Sequence, residues 1–86
     1  NQTALHLAVS DDDPESFRVL LRRGANANLS LHTNRRTPLH VAAALADREI
    51  FAQLSIEARA DIEARDGLGY TPLHVAAGAG NVRVLE

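Results

Sequence analysis

The sequence predicts an all-α solenoid, built of stacked helix-turn-helix units with protruding hairpin-like loops between them. Three observations carry this expectation. A pattern recurs at a fixed distance, as Thr3-Ala4-Leu5-His6, Thr37-Pro38-Leu39-His40 and Thr71-Pro72-Leu73-His74, each 34 residues from the last. The match runs on in phase through Ala8, Ala42 and Ala76 to Asp13, Asp47 and Asn81, and a period of ~20 to 50 residues marks stacked supersecondary units that cannot bury their apolar faces alone. Second, apolar residues make up 45% of the 86, but 15 of them are alanine and only Phe17, Phe51 and Tyr70 are aromatic. Such a core is thin, and it suits short helices whose small side chains let backbones approach. Third, turn-forming residues collect between the units, in 25–36 and 60–70. A chain this short holds no second domain. We read 1–86 as one segment with repeats at approximately 1–34, 35–68 and 69–86, the last incomplete.

Each unit opens on a threonine, whose side chain accepts the free N–H groups of a first helical turn. The proline that follows in two units lacks the N–H that turn leaves unpaired, and its fixed φ suits helix entry. Leu39, Ala42 and Ala43 then fall at i, i+3 and i+4, as do Leu5, Ala8 and Val9, and Leu73, Ala76 and Ala77. Asp13-Pro14-Glu15 reads as cap, first residue and acidic first turn of a second helix with Phe17, Leu20 and Leu21 inward. Arg22 and Arg23 occupy its last turn and Gly24 ends it. The counterpart in unit two is expected from about Arg48 to Glu57, with Ile50, Phe51 and Leu54 inward, and that of unit three from Val82 to the last residue, Glu86. Asp66-Gly67 and Gly69 supply the residues that a tight reversal favours.

These residues resemble the ankyrin repeat, whose Thr-Pro-Leu-His-x-Ala signature stands here as Thr37-Pro38-Leu39-His40-Val41-Ala42 and Thr71-Pro72-Leu73-His74-Val75-Ala76. The segments 20–28 and 64–71 are similar to that family's second-helix ending and its finger loop. The resemblance implies a non-enzymatic scaffold that binds other proteins through finger tips and the exposed face of the first helices, with no cofactor. It also implies that each signature histidine hydrogen-bonds within its own unit and to the neighbour's loop. Departures are visible. Ala4 replaces the proline, both full units carry one residue more than the usual ~33, Arg35 stands where the finger has glycine, and Arg59 where the second helix ends on glycine. The extra residues fall within 29–36 and 55–59. At Arg59 either a non-glycine residue bears a left-handed conformation or the turn is rebuilt.

Several chemistries are excluded for this segment. It contains no cysteine and no lysine, which removes disulfides, thiol nucleophiles, a phosphate-loop lysine and a Schiff base. The formal charge of −2 gives no global drive toward nucleic acid or an anionic membrane. The uncharged run 67–82 is too short for a bilayer span. His6, His40 and His74 are one repeat apart, too far to share a metal. Gly67-x-Gly69 lacks the third glycine of a dinucleotide loop, and Ser30 beside His32, an exposed histidine, has no orienting carboxylate. Asn1-Gln2-Thr3 and Asn28-Leu29-Ser30 fit a glycosylation pattern, discounted because those positions serve the repeat. Asn28 also matches the position at which some family members resemble asparaginyl-hydroxylase substrates.

The expected activity is therefore recognition of another protein, with no nucleic acid, membrane or small-molecule substrate, inside the cell. The rival expectation places this segment in a larger protein, with further flanking repeats, as the targeting part of an enzyme, channel or degradation adaptor. A third reading is a structural spacer. Arg36 and Tyr70 immediately precede repeat threonines, where the family's side chains commonly face partners, and arginine and tyrosine are enriched at interface hot spots. Leu68 is a large apolar residue at a finger tip with no core to enter. Ser10, Asp11, Ala44, Leu45, Gly78 and Ala79 are expected to line the concave side. Asp11-Asp12-Asp13 forms an acidic corner, and Arg22, Arg23, Arg35 and Arg36 a basic group. Three units, the last incomplete, are expected to be marginally stable alone.

Overall fold

The computed structural model describes residues 3–45 and 48–78. Five helices and, among these residues, no strand make up the fold: α1 (Ala4–Ser10), α2 (Pro14–Arg22), α3 (Pro38–Ala44), α4 (Glu49–Glu57) and α5 (Pro72–Gly78). Asp47, in phase with Asp13, and the helix expected from Val82 lie outside the described residues. Helix α1 packs on α2 and α3 on α4, and α3 lies between α1 and α5, which orders the chain as three layers.

Capping explains where each helix starts. Thr3 and Thr37 adopt extended backbone and accept the N–H of His6 and His40 on their hydroxyls. In layer two His40 completes a capping box, because its Nδ1 accepts the N–H of Thr37 at 3.1 Å. Asp13 caps α2 by accepting the Ser16 N–H, with Pro14 next in line. Endings are equally defined. After α2 the Ala25 N–H reaches the Leu20 carbonyl and the Gly24 N–H the Leu21 carbonyl, the two bonds of a Schellman turn with Gly24 at φ 89.

The same turn closes α4, through Ala60 N–H to Ser55 O and Arg59 N–H to Ile56 O, with Arg59 at φ 65. Of the two outcomes open at Arg59, the arginine bears the left-handed conformation. The extra residue of unit two is taken up within α4, which ends six residues after Phe51 where α2 ends five after Phe17. A third Schellman turn ends α1, with Asp12 at φ 56. There Arg48 donates from Nε to the Val9 carbonyl at 2.8 Å, so layer two caps a helix of layer one.

The core is a column of equivalent residues. Leu5 and Leu39, Ala8, Ala42 and Ala76, and Phe17 and Phe51 are buried, and the two phenyl rings meet edge to face with centroids 5.2 Å apart. Leu20, Leu21, Ile50 and Leu54 pack against this cluster from its edge. One expectation needs correction. Of the stripe expected on α5 only Ala76 is buried, since Leu73 is 57% exposed and Ala77 is exposed; Val75, outside that stripe, is buried instead. Helices α4 and α5 cover α3, and among the described residues no helix takes the corresponding place beside α5.

Candidate protein-binding surface

Two loops, residues 29–36 and 64–70, project between the layers as fingers. Their tips differ for a reason visible in their hydrogen bonds. In the second finger the Gly69 N–H reaches the Asp66 carbonyl, a four-residue turn with Gly69 at φ 85. In the first, the Arg35 N–H reaches the Leu31 carbonyl, one residue further, and Arg35 takes φ 59. The additional residue of unit one thus widens the tip. The fingers touch where the Gly67 N–H donates to the Asn34 carbonyl at 2.8 Å.

Each finger is anchored from the preceding layer by an imidazole. His6 Nε2 lies 2.7 Å from the Arg36 carbonyl and His40 Nε2 lies 2.8 Å from the Tyr70 carbonyl. Because Nδ1 of His40 accepts the Thr37 N–H, its proton must sit on Nε2 and be donated to Tyr70. Burial holds the pKa of both imidazoles below the ordinary value, which keeps them neutral for this role. The backbone of Arg36 and of Tyr70 is fixed in this way; the Tyr70 side chain is exposed, and that of Arg36 is half-buried beside Asp66.

Asp66 holds the second finger from within. Its side chain is almost fully buried; Oδ1 accepts the N–H groups of Leu68 and Tyr70, each at 2.9 Å, and Oδ2 faces Arg36 Nε at 3.4 Å. Burial alone would raise the carboxyl pKa, but the N–H donors of Tyr70 and Leu68, with His40 and Arg36 nearby, hold it below the usual carboxylate range.

The structure brings together several residues singled out from sequence. Arg36, Ala44, Tyr70 and Gly78 line one hollow, with His74 and Val75. Tyr70 is exposed and its ring lies 6.3 Å from that of His74. Arg36 also borders a second hollow, between the fingers, with Leu68, Thr33, Asn34, Asp66 and Gly67. Leu68 is 77% exposed. His74, Thr33 and Asn34 were not marked by the sequence as surface contacts. Ser10 and Asp11 are exposed at the end of α1, and Asp11 lines a separate hollow with Leu7, Asp13 and Val19. Leu45 is half-buried against the core, and Ala79 lies outside the described residues. The basic group divides, with Arg22 at a shallow trough between α2 and α4 and Arg35 and Arg36 on the first finger. Among the described residues, no three His, Cys, Asp or Glu side chains are grouped as a metal would require, and no helix is long and apolar enough to cross a membrane.

Comparison with known proteins agrees with this geometry. A family model described as ankyrin repeats in three copies matches residues 1–66, and a single ankyrin-repeat model matches 68–86. The chain belongs to the ankyrin-repeat family. Ankyrin repeats are generally protein–protein interaction modules rather than catalysts. Protein PhlB of Serratia liquefaciens is 44% identical over 75 residues, which cover 87% of this chain and 33% of PhlB. Neurogenic locus notch homolog protein 1 of Mus musculus is 42% identical over 94% of the chain and 3% of its own length. Alpha-latrotoxin-Lhe1a of Latrodectus hesperus is 33% identical over 98% of the chain and 6% of the toxin. This ankyrin segment therefore spans a small part of the relatives it matches.

Proposed function

We propose that this segment is a non-enzymatic adaptor that binds a partner protein across the fingers and the concave helix face. The observation that carries the reading is the meeting of two hollows at Arg36, flanked by the exposed side chains of Leu68 and Tyr70 on a backbone fixed by His6, His40 and Asp66. A surface whose backbone is already ordered loses little entropy on binding, and exposed aromatic and apolar groups beside an arginine are what interface hot spots are made of. Arg36, Leu68 and Tyr70 would supply the contact energy. Ala44 and Gly78 would form a low floor, and Ser10, Asp11 and Leu45, with Ala79 outside the described residues, are assigned to the same partner-facing side by their repeat positions.

The small share of each relative that the segment covers favours a second, compatible reading: 1–86 is one stretch of repeats, approximately 1–34, 35–68 and 69–86, with further repeats flanking it. It would recruit a target for an enzymatic, channel or adaptor domain elsewhere in a longer protein. An intracellular location, cytoplasmic or nuclear, belongs to the same proposal; the match to a mouse protein named nuclear factor NF-kappa-B p105 subunit, 32% identical over 94% of this chain, supports it. Affinity capture followed by mass spectrometry, with wild type beside an Arg36→Ala/Leu68→Ala/Tyr70→Ala variant, tests the surface. Loss of specific proteins from the variant is expected, and identical recovery would reject it.

A further inference from the structure

The charges on the two finger tips differ in sign from the chain as a whole. The chain carries −2, but the charged residues in 32–36 and 65–70 are Arg35, Arg36, Arg65 and Asp66. Asp66 is withdrawn from this surface by its burial and by the three donors that occupy its oxygens. Arg35 and Arg65 are exposed, and the Arg65 guanidinium donates to a neutral carbonyl, that of Gly69 at 2.9 Å. Arg36 meets Asp66 through Nε while its side chain borders both hollows, so a second carboxylate can approach the Nη edge. The next acids along the chain, Asp61 and Glu63, sit at the foot of the second finger, where Asp61 N–H donates to Asn28 Oδ1. The acidic corner lines a different hollow, through Asp11 and Asp13.

Building on the binding surface proposed above, we infer that its partner is an acidic segment of another protein, carrying an apolar or aromatic side chain beside its carboxylates. A carboxylate takes the outer edge of Arg36 in the field of Arg35 and Arg65. The apolar side chain lies against Leu68 and Tyr70, which are 77% and 47% exposed and have no core to enter. Desolvating Arg36 beside these groups strengthens the pairing, and the exposed cations Arg35 and Arg65 act mainly on the rate of encounter.

Selection of a random peptide library on the immobilised full chain, followed by fluorescence anisotropy with the selected peptides, tests this. Enrichment of Asp and Glu next to Leu or an aromatic residue is expected, with affinity falling as salt rises. The variant Arg35→Gly/Arg65→Gln removes two exposed charges without touching the buried pair, and glycine suits the left-handed backbone at position 35. Its melting temperature should not fall below wild type, since glycine relieves the left-handed backbone at position 35, and its affinity for the selected peptides should fall roughly fivefold, as two exposed ion pairs would give. Selected peptides that need Leu68 and Tyr70 but carry no acid would overturn the acidic partner and leave the binding surface standing. Acidic peptides bound equally well by Arg36→Ala, Leu68→Ala and Tyr70→Ala variants would overturn both. Absence of any enrichment, tighter binding of oligothymidylate than of the acidic peptides, or self-association suppressed by Asp11→Asn would likewise overturn the acidic partner.

Discussion

Arg59 holds a left-handed conformation that Gly24 holds in the equivalent turn of the first layer, with the same pair of backbone hydrogen bonds around it. An L-residue in that region costs ~1–2 kcal/mol, and glycine removes most of this at some expense in unfolded-chain entropy. Arg59→Gly is therefore expected to raise the stability of the chain by about 0.5–1 kcal/mol in urea titration; a loss of stability would mean that the arginine side chain has a role this geometry does not show. The histidines make a second prediction at this scale. Since burial keeps the folded-state pKa of His6 and His40 below 6.5, the unfolded chain binds protons that the folded chain refuses. For His40 the groups facing it act in both senses: the Tyr70 and Ala64 carbonyls and Asp66 favour the cation, and Arg36 opposes it. Stability is then complete above pH 6.5 and declines as pH falls from there toward the folded values. Denaturation midpoints measured from about pH 8 to about pH 5 should be flat and then drop, and a His6→Asn/His40→Asn variant should lose the drop. The sequence announced these histidines by their period, and the family resemblance named their partners. Asp66 was not marked as a residue that holds the finger, because three acceptor contacts at one carboxylate depend on how the loop folds back and not on any spacing that a period reveals.

The helices were legible as elements because their punctuation is local. Thr3, Thr37 and Asp13 accept N–H groups three residues ahead, and Gly24 closes α2, all within one turn of chain. Where the signal was ambiguous, the answer came from tertiary packing: α4 begins at Glu49 with no side-chain cap at Arg48, whose guanidinium instead reaches back to Val9 of α1. The fingers follow the same division. Their position was set by Asn, Asp and Gly, but the wider tip of the first depends on Arg35 tolerating φ 59. Asp66→Ala is expected to leave the Leu68 and Tyr70 N–H groups without their acceptor and to lower stability by about 1–3 kcal/mol. Hydrogen exchange should show the change confined to the second finger and the His40 contact at Tyr70, with α1 and α2 protected as before. Faster exchange throughout would show that this carboxylate supports the whole stack.

Equivalent positions in successive layers show how the molecule as a whole is held. In the position after the signature histidine, Leu7 is 49% exposed, Val41 half-buried and Val75 8% exposed, so this side chain is covered by the layer before it. The signature leucine runs the other way, at 2%, 0% and 57% for Leu5, Leu39 and Leu73, so it is covered by the layer after it. Burial is thus a property of neighbours rather than of sequence, which is why three identical-looking leucines read alike from the chain and differ in the structure. Each layer is stabilised by the next, as expected of repeats whose individual apolar faces cannot close alone. Phe17 and Phe51 extend the same logic to the second helices, and Phe51→Ala is expected to cost about 3–5 kcal/mol, enough to unfold a small chain at room temperature, as circular dichroism would report.

Stacking of layers is the claim on which the finger surface depends, and the leucine series probes it at a single repeat position with a single change of side chain. Urea unfolding of the 86-residue chain should show Leu39→Ala costing about 2–5 kcal/mol, or leaving no folded baseline, and Leu73→Ala costing under about 1 kcal/mol. Equal losses at the two positions, or a larger loss at Leu73, would contradict the stack.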